Sequence, residues 1–174
     1  MARSALTSKQ KIGQGPVAFA GHVPVASVIA AMLLSTLPFV VEVGWFPDFA
    51  FLMLIAWRLY RTDVWPSWWA APLGLLNDLV TGYPLGLSVA VWTLSILVLD
   101  IIDRRTIWRD YWIEWAIASL LILMSEAAQW QVAAWMGARV PFTFMLPPIF
   151  ISIAAFPVAA WLVVRLDVWR LGKK

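Results

Sequence analysis

Six times between clusters of charge the sequence returns to a run of apolar residues, and the length of those runs is what most restricts the fold. They cover about residues 23–41, 46–60, 65–81, 84–102, 113–136 and 142–164. A helix that crosses the hydrocarbon core of a bilayer needs about 20 mostly apolar residues. Apolar runs of that order between charged loops mark such spans. Hydrophobic residues make up 62% of the 174, and charged residues 13%. A typical soluble domain carries roughly 25% charged residues. Too little polar surface is left to coat a water-exposed globule. The runs therefore predict an all-α integral membrane protein, a bundle of six transmembrane helices.

On this reading residues 1–22 are an N-terminal tail, 23–164 a single six-helix membrane domain, and 165–174 a basic tail. Arg3, Lys9 and Lys11 resemble the charged start of a signal peptide. The apolar run that follows is 19 residues long with no small-residue cleavage site after it, so it reads as a retained first helix. Lysine and arginine favour the cytoplasmic side of a membrane. The N-terminal tail, Arg58 and Arg61, Arg104, Arg105 and Arg109, and Arg165, Arg170, Lys173 and Lys174 all fall on one side, and Arg139 alone on the other. Both termini are thus expected in the cytoplasm of a bacterial inner membrane. The second run is the shortest: at 1.5 Å per residue it reaches about 22 Å. Runs two and three either cross fully or form a re-entrant hairpin, which would bury Arg58 and Arg61 at a cost.

The absence of cysteine excludes a disulfide scaffold. His22 is the only histidine, so no metal site is expected. The net charge of +3 is scattered rather than gathered in one basic patch, which argues against nucleic acid. No serine–histidine–acid set and no phosphate-cradling glycine loop occurs, so neither catalytic residues nor a cofactor is expected. Ionisable groups inside apolar runs are functional candidates. Here they are Asp48, Asp78 and Glu126, with Glu42 nearby and Arg139 as a candidate ion-pair partner. Glu126, Gln129 and Trp130 share a helix face by their spacing. That polar stripe reads either as hydrogen-bonding glue between helices or as a ligand site, and Asn77 adds a further polar position. Asp100 with Arg104, and Arg105 with Arg109, read as solvated charges. Ala26 and Ala30 form a small-xxx-small pair, and Ser27, Ala31 and Ser35 a second stripe, both suited to close helix approach. Most of the 13 tryptophans fall at the ends of runs, while Trp92 lies in the middle of one.

The stretch from Gly74 to Gly86, Gly-Leu-Leu-Asn-Asp-Leu-Val-Thr-Gly-Tyr-Pro-Leu-Gly, resembles the G-L-x-x-D-L-x-x-G-x-P-L-G signature of the rod shape-determining MreD family. Gly82 and Pro84 make a tight exit between two helices, with Asp78 one turn before it, placed to accept hydrogen bonds from that turn. Pro47-Asp48 and Arg61, at the two ends of the second run, are also similar to that family. The resemblance implies a fold similar to the S-components of energy-coupling-factor transporters. It also implies a non-catalytic scaffold of the cell-elongation machinery that regulates cell shape and lateral peptidoglycan synthesis. Its partners would be MreC directly, RodA, a penicillin-binding transpeptidase and MreB at the level of the assembly, and membrane lipids. Asp48, Asp78, Gly74, Gly82, Pro84 and Gly86 would be packing or docking positions. The alternative expectation is a solute-binding subunit of a vitamin transporter. Ala26 and Ala30 would then dock the coupling partner, and Glu42, Trp45, Asp48 and Glu126 would line a pocket.

Overall fold

The computed structural model describes residues 21–37, 46–61, 66–105 and 110–171, without the side chains of 104 and 105. The helices in chain order are α1 (Val23–Ser35), α2 (Phe49–Tyr60), α3 (Ala70–Thr81), α4 (Leu87–Arg105), α5 (Tyr111–Trp135) and α6 (Leu146–Arg170). Single 3-10 turns at Ser67–Trp69 and Phe142–Met145 lead into α3 and α6. No strand occurs among the described residues.

Local chemistry sets the helix ends. Asp48 caps α2, its carboxylate accepting from the Phe51 N–H at 3.0 Å. Such a bond satisfies one of the donors that the first turn leaves open. Pro24 in α1, and Pro147 and Pro148 in α6, occupy first turns, where a missing N–H breaks no intrahelical bond. Gly82 ends α3 in the left-handed region at φ +73°, a conformation that a side chain disfavours.

Helix α2 is the axle of the fold. Ala50 to Leu59 are all buried, so it has no solvent face, and α1, α4, α5 and α6 surround it. A helix apolar on every side is stable only when it is enclosed on every side. Phe51 stacks on Trp92 of α4 with centroids 6.2 Å apart. Trp57, fully buried, donates its indole N–H to the Ser27 hydroxyl at 2.8 Å. Helices α3 and α4 make the closest pairing because Gly74 has no side chain: a Cβ there would lie 2.8 Å from the Ser88 backbone and Val89 Cα. Apolar side chains are also frequent on the outside, among them Leu94, Ile101, Leu120, Met124, Phe150 and Trp161. Nothing in the described fold covers them.

The expected six crossings are not found. Among the described residues only Tyr111–Trp135 and Phe142–Arg170 are long and apolar enough to cross a membrane, by length and composition alone. Helices α1, α2 and α3 have 13, 12 and 12 residues, about 18–20 Å each against a hydrocarbon core of ~30 Å. An apolar stretch of this length suits a buried core helix, which is what α2 is. Helix α4 has 19 residues but closes on Asp100, Asp103, Arg104 and Arg105.

The second finding is a buried polar network. Arg58 and Arg170, which the charge count assigned to the turn after the second run and to the basic tail, are 8% and 7% exposed and sit in ion pairs inside the fold. The all-α architecture is therefore not the six-span bundle similar to S-components. The multi-pass inner-membrane placement with two cytoplasmic termini loses its support with it. So do the two roles that depended on those spans, the cell-shape scaffold that binds MreC and the vitamin-transporter subunit. The tails 1–20 and 172–174 and residues 38–45, with Glu42 and Trp45, lie outside the described residues.

Candidate functional site: an acidic cavity at one end of the bundle

The N-terminus of α2, the end of α1, the turn between α3 and α4, the last three turns of α5 and the entry to α6 come together at one end of the bundle. They enclose a cavity of about 610 Å³. Asp48 reaches its wall because it caps α2, and Glu126, Gln129, Trp130 and Ala133 because they share one face of α5. Phe46, Tyr83, Phe144 and Met145 supply apolar and aromatic wall, and Ser35, Thr36 and Thr81 supply hydroxyls. Among the described residues no lysine, arginine or histidine lines it.

Glu126 is the singular group of this site. It is 9% exposed, and among the described residues no donor makes a hydrogen bond to its carboxylate. Burial pushes its pKa up to about 7, and the charge of Asp48 adds to the rise. Burial also raises Asp48, against the opposing pull of the Phe51 and Ala50 N–H groups. The Tyr83 hydroxyl is raised by burial and then by both carboxylates. The neighbours of Glu126 have their own partners. Gln129 Nε2 donates to the Ser125 hydroxyl at 3.3 Å. Trp130 Nε1 donates to the Val140 carbonyl at 2.9 Å, and its ring meets Phe142 edge-on at 5.4 Å. An acidic, part-aromatic cavity with no cation of its own can hold an organic cation, since aromatic faces and carboxylates both attract positive charge.

The sequence-predicted positions separate. Asp48, Glu126 and Gln129 meet at the cavity. Asp78 does not reach it: its two oxygens accept from the N–H groups of Gly86 and Ser88 at 2.8 and 2.9 Å. Asn77 donates to the Ser88 hydroxyl at 3.0 Å. Gly74, Gly82 and Gly86 shape the same α3–α4 connection. Pro84 lines a second, smaller cavity. Ala26 and Ala30 face outward from α1, whereas Ser27 faces inward to Trp57. Arg139 is exposed and pairs with no acid among the described residues. Asp100, expected in solvent, is instead clamped by Arg58, whose Nε donates to it at 2.8 Å, and by the Ser67 hydroxyl. Sequence reasoning missed Tyr83 and Phe144 as wall residues. The available signal was an aromatic residue directly beside a tight turn in each case, Tyr83 before Pro84 and Phe144 in the 3-10 turn. Among the described residues no three His, Cys, Asp or Glu side chains gather as a metal site.

No family model, no curated protein and no solved structure matches the chain. The Gly74–Gly86 run therefore stands on its own chemistry, and that chemistry is the joining of α3 to α4.

Proposed function

We propose that the protein binds a small organic cation, an ammonium group carried on an apolar body, in the cavity at the Asp48 end of α2. The observation that carries this reading is the Glu126 carboxylate. Glu126 is nine-tenths buried as a residue, its carboxylate receives no hydrogen bond from the described residues, and it lies in a cavity with a second carboxylate and, among the described residues, no basic side chain. A buried carboxylate without a partner is costly, and a bound cation would relieve that cost. The volume falls within the range of small-molecule sites, about 300–1,000 Å³. Phe46, Tyr83 and Phe144 offer the apolar and aromatic surface that such a ligand needs beside its charge.

Titration calorimetry with tetramethylammonium and choline tests this. Glu126→Gln should weaken binding about tenfold or more, the equivalent of ~1.4 kcal/mol. Binding to the wild type should strengthen as pH rises through about 7, because the ionised Glu126 holds the cation. Equal binding by the wild type, Glu126→Gln and Asp48→Asn would overturn the reading.

A further inference from the structure

A second cavity of about 260 Å³ adjoins the first. Tyr83, Gln129 and Ala133 line both. The rest of its wall is apolar, with Leu87, Val132 and Met136 among its members. Among the described residues its polar side chains are those of Tyr83 and Gln129, and both also line the acidic cavity. A charged group meets no opposite charge there among the described residues, whereas a hydrocarbon group has the side chains of Leu87 and Val132 to lie against, with Met136, 70% exposed, at the rim. At ~30 Å³ for a water-sized group, the space holds at most about eight or nine such groups, room for a chain of about six to eight carbons.

We infer that the ligand is an amphiphilic cation whose ammonium head sits by Asp48 and Glu126 and whose aliphatic tail of about six to eight carbons lies between Leu87, Val132 and Met136. This rests on the cation-binding reading above and adds the class of ligand. The shared wall is what links the two halves. A tail leaving the acidic cavity past Tyr83 and Ala133 would next meet Leu87, Val132 and Met136. Glu126 supplies the second, independent sign of a ligand at the head end, being buried and unpartnered.

The test uses the full chain and a series of primary n-alkylammonium ions from methyl to decyl, with the n-alcohols of the same lengths as neutral controls, read by titration calorimetry below their aggregation thresholds. Affinity should rise about fourfold per added methylene, as expected for burying that group, and level off at about six to eight carbons. Val132→Trp, which puts a bulky ring into the second cavity, should flatten the series. Ammonium binding without dependence on chain length would overturn the tail site while leaving the cation reading in place. Alcohols that bind as well as the ammonium ions would overturn the cation reading, and so would a series in which no ion binds. A rise that continues undiminished to decyl would mean adsorption on the apolar exterior and would overturn the tail site. If Val132→Trp does not fold, the plateau in the wild-type series still decides.

Discussion

The two ends of α2 treat charge in opposite ways. At its C-terminal end Arg58 is held by Asp100 and lies 3.8 Å from Asp103. Arg61 pairs with Asp167 at 3.0 Å, and Asp167 also accepts from Arg170 at 2.6 Å. The Arg170 guanidinium sits over the Trp57 ring at 5.7 Å, closing the network onto the core. At the N-terminal end Asp48 and Glu126 face a cavity to which the described residues bring no positive side chain. The same helix thus joins a region where acids and bases are matched to one where acids are left over. The matched end is built for holding α2, α4 and α6 together. The unmatched end costs stability, and a site for an external cation is a physical reason for a fold to retain such a cost.

Breaking the matched end should have the largest effect. Arg58→Met takes from the part-buried Asp100 the guanidinium that clamps it and should cost about 3–5 kcal/mol, measured by chemical denaturation. The unmatched end should respond in the other direction, through pH. Glu126 has its folded pKa raised to about 7 from 4.5. The stability associated with the protonated form is complete below about pH 4.5 and is lost as pH rises through 7. At 1.36 kcal/mol per unit the loss is about 3 kcal/mol, and Glu126→Gln should remove this slope from a pH series of melting curves. A smaller change comes from Asp78→Ala, which strips the Gly86 and Ser88 N–H groups of their acceptor. It should cost about 1–3 kcal/mol and leave cation binding intact, because Asp78 stands outside the cavity. The smallest is Ser27→Ala. It removes the acceptor of the Trp57 indole N–H and should cost about 1 kcal/mol by the same denaturation measurement.

The contrast between these ends also explains what could be read from residues alone. Helix positions were legible: the run 46–60 contains α2, and the run 84–102 lies over α4. What those helices are buried against was not. A fully apolar stretch of a dozen residues has the same pattern whether its surroundings are lipid or other helices, and only the packing of α1, α4, α5 and α6 around α2 decides. The Arg58–Asp100 pair joins positions 42 residues apart, so no local spacing announces it. Asp78 was readable as a partner of the turn that follows because the N–H groups that donate to it, of Gly86 and Ser88, lie only eight and ten residues on. Glu126 and Gln129 were readable as one face of a helix. Their meeting with Asp48 and Tyr83 was not, since it depends on three other helices arriving at the same end.

The enclosure of α2 has a consequence for how the molecule comes apart. Its neighbours come from both sides of it in the sequence, from α1 before it to α6 about a hundred residues after it. No contiguous fragment of the chain can provide that sheath, so α2 has no reason to persist in any partial structure. Its amide protons should be the slowest in the protein to exchange, opening only when the whole fold opens, whereas those at the rim of the cavity should exchange through small local fluctuations. A chain organised this way loses its centre last and all at once.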